Sequence, residues 1–175
     1  MSARSLRTTA YSSREELADV LQSIFVSELL VPSKPLWIVS PWISDVQVID
    51  NRTGNFSGLL TAMPQRWIRL GEVIEQHLGR GGSLTLATRP DDHNRVFTEF
   101  LKRRTREIGR ERSLRVVMSA DLHEKGILTQ GVLLSGSMNL TYNGLRRLEE
   151  AVHLTDEDDA LARARSAYRD RWGEP

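Results

Sequence analysis

A histidine and a lysine stand two apart in LHEKGILTQGVLLSGSMNLTYNG, residues 122 to 144, and a Gly-Ser-x-Asn-x-Thr run begins thirteen residues after the histidine. In a strand, residues two apart project from one face, so the spacing predicts that His123 and Lys125 point together while Glu124 and Gly126 point away. An imidazole changes charge near neutral pH and serves as nucleophile or base, and an ammonium beside it attracts an anion. A two-residue hairpin at Gln130-Gly131, with glycine in the position that needs positive φ, would bring Ser137 and Asn139 back to the edge where His123 sits. Small residues followed by Asn-Leu-Thr suit a turn into a helix start, where backbone N–H groups hold an anion. These side chains supply a nucleophile or base, a cation, a hydroxyl and an amide around one oxyanion, which is the chemistry of a phosphate pocket. Singly, H-x-K is what a solvated strand edge presents and G-S-x-N what an ordinary turn presents; the joint spacing carries the reading.

The elements that must position these residues follow from periodicity and punctuation. Ser13 caps a helix with Glu16 three residues on, and Leu17, Val20, Leu21 and Ile24 carry its apolar face to about Leu30. LWIVSPWI is short, apolar and bounded by turn residues, as a buried strand is. Asp45 to Pro64 is rich in turn signals and has the length of a functional loop. From Gln65 to Leu78 the spacing of Trp67, Leu70, Ile74 and Leu78 predicts a helix that GRGG stops. SLTLATRP reads as a strand; Asp91 or Asp92 caps the next helix, with an apolar stripe of Val96, Phe97, Phe100, Leu101 and Ile108. LRVVMSA, HEKGILT, VLLSG and EEAVHLT read as strands, and DEDDALARARSAYRDRW as a closing helix with acids first and arginines later. This order predicts an α/β fold in one domain over residues 1 to 175, a mixed β-sheet flanked by helices.

Composition narrows the function classes. The 24 Lys plus Arg nearly balance the 23 Asp plus Glu, so net charge alone selects no polyanionic partner. The charges are segregated, however: LKRRTREIGRERSLR, with Arg103 and Arg104, is a basic run able to follow a nucleic-acid backbone, or simply the solvated face of an amphipathic helix. The absence of cysteine excludes a disulfide framework and a Cys-based metal site. No apolar run approaches a membrane span, and MSARSLRTTAYSSREE lacks the apolar core of a secretory signal, so a cytoplasmic protein without a membrane partner is expected. Trp37 and Trp67 suit a core, and Trp42 the site edge.

The HEK and GSMNLT segments together resemble the phospholipase D superfamily, whose signature reads H-x-K, four residues, Asp, a few residues, then G-S-x-N. His123, Lys125, Gly136, Ser137 and Asn139 are in register with it, and the resemblance is sharp from about Leu114 to Leu154. EEAVHL resembles the strand carrying the glutamate that orients the catalytic histidine; that glutamate maps to Glu149, with Glu150 the alternative if the register moves by one. Gln130 stands where the signature has aspartate. At about 3.3 Å per strand residue it lies up to roughly 16 Å from Lys125, so a structural role at the turn is expected.

The resemblance implies a phospholipase D-like α/β/α sandwich and a metal-independent phosphodiesterase, in which a phosphohistidine forms on one imidazole while a second protonates the leaving oxygen. The chain has one such motif. His77 reads as a helix-face residue, His93 as near a helix start and His153 as a strand residue, so the second catalytic histidine should come from another copy, in a homodimer sharing one active site. The catalytic set would be His123, Lys125, Ser137, Asn139 and Glu149, with Gly136, Thr141, Trp42, Arg103 and Arg104 on the substrate, and no metal or cofactor. DNA or RNA is the expected substrate, in a setting such as a bacterial defence or DNA-modification system. Two other readings stand beside this one: a non-catalytic module binding a nucleic-acid phosphate or strand end, and a phosphodiesterase for lipid head groups or small molecules.

Overall fold

The computed structural model describes residues 4–7, 14–58, 64–146 and 150–175. Strands β1 (Arg4–Arg7), β2 (Leu36–Val39), β5 (Leu84–Thr88), β6 (Leu114–Met118), β7 (Gly126–Leu128), β8 (Leu133–Gly136) and β9 (Ala151–Thr155) form one mixed sheet. Its order is β1-β9-β8-β7-β2-β5-β6, while β3 (Gln47–Asp50) and β4 (Trp67–Arg69) make a separate pair. The helices are α1 (Arg14–Leu30), α2 (Leu70–Gly79), α3 (Asp92–Glu107), the short α4 (Tyr142–Arg146) and α5 (Asp158–Trp172). The expected cap Ser13 lies outside the described residues.

Every residue of β2 and of β5 is buried, as strands covered on both faces must be. Alternation along β2 shows the two layers: Leu36 and Ile38 face the core that holds Leu17, Leu21 and Phe25 of α1, Ile74 of α2 and Phe97 of α3. Trp37 and Val39 face Leu161, Tyr168 and Trp172 of α5. The architecture is therefore α/β, a mixed sheet between helical layers, as the sequence predicts.

Four details differ from the expectation. Trp67 does not open α2; residues Trp67–Arg69 pair with β3, and the helix starts at Leu70. Ile49 and Ile68 pair across this small sheet, both fully buried. The helix start is then fixed by Asp45, which accepts the Gly71 N–H at 2.8 Å, and by Glu72, which accepts the Arg69 N–H at 3.0 Å. Val96, expected in the apolar stripe of α3, is 77% exposed, because the inward positions are Phe97 and Leu101. His77 lies on a face of α2, as expected, but that face is wholly buried and its Nδ1 stands 3.3 Å from Glu28. Glu28 in turn accepts Ser33 N–H at 2.9 Å and Ser33 Oγ–H at 2.7 Å, so a paired polar cluster ties α1 to α2.

The fourth difference is the β7–β8 turn. Thr129 and Val132 flank the Gln130-Gly131 loop as predicted, but Gly131 is not among the glycines of positive φ. The Thr129 hydroxyl accepts the N–H groups of Gly131 at 3.1 Å and Val132 at 2.9 Å. A side-chain acceptor thus closes the turn with Gly131 outside the left-handed region.

Candidate active site

Strands β2, β5 and β6 are parallel, while β7 runs antiparallel to β2 and β8 antiparallel to β7. The ends of β2, β5, β6 and β8 and the start of β7 therefore lie along one edge. Residues following or preceding those ends, namely Ser40 to Trp42, Arg89, His123 to Lys125 and Gly136 to Asn139, gather there from distant parts of the sequence.

His123 and Lys125 stand in the segment entering β7 rather than on the strand itself. The separation of their surroundings still follows the expected alternation. Leu122 is fully buried against the α5 layer, and His123 is exposed. Glu124 turns toward α5, where Arg171 donates to it at 3.1 Å. The Tyr168 phenol meets the same carboxylate; burial first, then the charge and hydrogen bond of Glu124, push its ionisation far above the usual tyrosine value. A Cβ on Gly126 would stand 2.3 Å from that phenol oxygen, so only glycine fits beneath it. Lys125 returns to the site and donates from Nζ to the His123 carbonyl at 2.6 Å.

On the facing side, Gly136 has φ 153° and a Cβ there would stand 2.1 Å from the Ala151 carbonyl oxygen. That close approach of β8 and β9 sets the next residue. Ser137 accepts Ala151 N–H at its hydroxyl at 3.0 Å and donates its own hydrogen to Glu150, which is buried. Glu149, the expected orienting glutamate, lies outside the described residues; the structure brings its neighbour Glu150 to Ser137. Asn139 accepts Trp42 N–H at 3.5 Å on its Oδ1, an acceptor role that keeps the two hydrogens of its amide available as donors. Ser40 braces this corner by donating to the Trp42 carbonyl at 2.7 Å and accepting Leu140 N–H at 3.1 Å. The Thr141 hydroxyl accepts Gly144 N–H at 3.2 Å, committing it to the start of the five-residue α4.

Arg103 and Arg104 are not gathered with this group. Arg104 donates to Glu75 of α2 at 2.7 Å and to Glu107 at 2.5 Å, while Arg103 lies 3.7 Å from Glu107 and over the Phe100 ring. At about 1.5 Å per residue, Arg103 is roughly 16 Å along α3 from the end that starts beside the site. The arginine that does reach the site was not distinguished from its strand in the sequence. Arg89, just beyond β5, donates from Nε to the Leu122 carbonyl at 2.8 Å and stacks on Trp42, 4.8 Å from the ring centroid. Its Nη2 lies 3.1 Å from Nε2 and 3.2 Å from Nδ1 of His123. A nitrogen so nearly equidistant from both cannot lie in the ring plane, where Cε1 would block it. It stands against the ring face and leaves both in-plane positions open.

His93 lies at the same end of α3, its Nε2 2.8 Å from Ser44 Oγ, and His153 is exposed on β9. Among the described residues there is no group of three or more His, Cys, Asp and Glu side chains placed to hold a metal ion. No ion pair among the described residues involves Lys125 or Arg89. The edge thus presents an exposed imidazole, two cations without carboxylate partners and an amide, and its chemistry is that of an anion site with a nucleophile or base.

The sequence matches no protein-family model and no curated protein. Solved structures do match. NucT from Helicobacter pylori superposes with a TM-score of 0.61 at 12% identity, covering 97% of this chain and 95% of that one. Nuc from Salmonella typhimurium, a phospholipase D family member, gives 0.62 at 10% identity over 99% of this chain and 95% of that one. The archaeal chromatin protein TrmBL2, described by its mode of DNA binding, gives 0.56 at 8% identity over 98% of this chain and 52% of that one. The chain has the phospholipase D superfamily fold. Among the described residues no helix is long and apolar enough to cross a membrane.

Proposed function

We propose that the protein is a phosphodiesterase acting on nucleic acid, as a homodimer in which two copies of this edge face one phosphate. A ring nitrogen of His123 attacks phosphorus, a nitrogen–phosphorus bond forms and the ester oxygen leaves, taking its proton from His123 of the partner subunit. Water then attacks the phosphohistidine, gives a proton back to that second imidazole and releases the product with His123 free. Lys125 and the Asn139 amide hold the charge that develops on the phosphoryl oxygens. The orienting carboxylate is Glu150 or its neighbour Glu149. Ser137 fixes Glu150 in place, because its hydrogen is already given to that carboxylate. Thr141 and Gly136 shape the turn that presents Asn139, and Arg103 and Arg104 serve α3 packing rather than the scissile phosphate.

What supports this reading is the exposed His123 with Lys125 at the start of β7, on the sheet edge where the end of β8 also delivers Ser137 and Asn139, in a chain with a phospholipase D fold. Fold alone does not select an activity, and the DNA binding of TrmBL2 favours a second reading, a module that binds a nucleic-acid phosphate without cutting. Cleavage of labelled single-stranded and duplex DNA in EDTA, by wild type beside His123→Ala, separates the two, with solution mass read by light scattering. The proposal expects cutting by a dimer that the substitution abolishes. Binding without turnover in both proteins would leave the module, and activity lost in EDTA but restored by Mg²⁺ would contradict the two-histidine chemistry.

A further inference from the structure

We infer that Arg89 is a substrate-positioning residue of this site, a cation that takes a non-bridging oxygen of the phosphate His123 attacks; this rests on the phosphodiesterase reading above. Three observations lead to it. Arg89 is partly buried, yet none of the ion pairs among the described residues involves it, unlike Arg104 with its two carboxylates. Its guanidinium is fixed on two sides, by the Leu122 carbonyl at Nε and by the indole of Trp42. Its Nη2 rests on the His123 ring at 3.1 and 3.2 Å from the two nitrogens, a contact in which it donates no hydrogen bond along either lone-pair axis.

The position matters because reacting atoms in a competent complex stand about 3 to 3.5 Å apart. Whichever ring nitrogen attacks, a phosphorus at that distance lies beside Nη2 as well, with a phosphoryl oxygen in reach of its hydrogens. The planar fork is the donor geometry that phosphate oxygens accept best. Trp42 then has a role beyond filling the edge: its face holds the guanidinium at the height of the imidazole, and the indole is 38% exposed. Asn94, fully buried, sets this height from below, donating to the carbonyls of Arg89 at 3.0 Å and Pro41 at 2.8 Å. An anion held by the guanidinium that rests on Trp42 changes the charge beside the indole, so the environment of that indole changes when the site fills.

The test uses tungstate, an oxyanion that mimics phosphate, titrated into wild type, Arg89→Gln, Arg89→Lys, Trp42→Phe and His123→Ala with tryptophan emission as the signal. Kinetics with bis(p-nitrophenyl) phosphate are run in parallel. Arg89→Gln keeps a donor for the Leu122 carbonyl and loses only the charge, and Arg89→Lys keeps the charge without the fork. The inference expects Arg89→Gln to weaken tungstate binding on the order of tenfold to a hundredfold, the range of a charged hydrogen bond, and to raise KM for the diester. Arg89→Lys should recover part of the binding, Trp42→Phe should lose the emission change, and His123→Ala should still bind while losing turnover. Tungstate affinity and KM within about twofold of wild type in Arg89→Gln, or a wild-type protein that does not bind tungstate, would overturn it. Tungstate binding that depends on Arg89 in a protein that never cleaves the diester would support the anion role of Arg89 and refute the catalytic reading instead.

Discussion

Ser137 joins Glu150 to the backbone of β9: one hydroxyl donates to the Glu150 carboxylate and accepts the Ala151 N–H at 3.0 Å. Removing that hydroxyl takes one hydrogen bond from the buried carboxylate and one from the Ala151 N–H. Ser137→Ala should therefore lower unfolding free energy by about 1.5 to 3 kcal/mol, the range of a hydrogen bond to a charged group, and lower turnover more than Ser137→Thr. Chemical denaturation checks it. A loss under about 0.5 kcal/mol, the scale of a neutral surface change, would mean the pair does not hold this corner.

Gly126 and Tyr168 form a steric pair under the H-x-K segment. A Cβ at Gly126 would lie 2.3 Å from the phenol oxygen and 3.3 Å from the Leu134 carbonyl oxygen. Gly126→Ala is expected to destabilise by about 1 to 3 kcal/mol, as overpacking does. Tyr168→Phe removes the obstructing oxygen, so the double substitution should be less damaging than the sum of the singles. Strict additivity in that cycle would show that the two residues do not meet.

Gln130 departs from the phospholipase D signature, and the structure uses its backbone: its N–H donates to Ser33 Oγ at 2.7 Å and its carbonyl accepts Arg165. The exposed side chain sits at the end of the hairpin remote from His123. Gln130→Asp should leave kcat/KM within about twofold of wild type, and a tenfold gain or loss would place that side chain in the catalytic path.

Glu72 carries an acid-dependent part of the stability. Burial raises its ionisation, but the hydrogen bonds from Arg66 and the Arg69 N–H outweigh it and the net direction is down from 4.5. A depressed folded value means that the contribution is present above the unfolded value and is lost as pH falls through the folded one. Glu72→Gln should thus be less stable than wild type near neutral pH, with the two converging once pH drops below 4.5. Thermal melts across that range test it; a difference that widens in acid would reverse the assignment.

Much of the fold and part of the site can be inferred from the residues. LWIVS and SLTLAT are short runs bounded by turn residues that read as strands, and the Asp91 cap and the acids opening α5 mark helix starts with local chemistry. Trp67 misled because its spacing to Leu70 and Ile74 is helical, whereas pairing of Ile68 with Ile49 across a long loop decided the structure, and that contact is non-local. The motif singles out His123, Lys125, Ser137 and Asn139 as candidates, and one hairpin brings the segments that carry them to the same sheet edge. Arg89 carried no such signal: it looks like any polar residue ending a strand, and only the parallel pairing of β2 with β5 sets it beside Trp42 and His123. The basic run of α3 fits its second reading, the solvated face of an amphipathic helix: Lys102 pairs with Glu99, and Arg104 with Glu75 and Glu107.

In the proposed reaction His123 bonds to phosphorus. Mixing enzyme with a labelled phosphodiester in EDTA, quenching in alkali within the first turnovers and mapping the adduct by peptide mass spectrometry tests it directly. A base-stable, acid-labile phosphoryl group is expected on His123 and absent from His123→Ala. Product formed at full rate with no adduct on that residue, or with the adduct on His93, His153 or a serine, would contradict it.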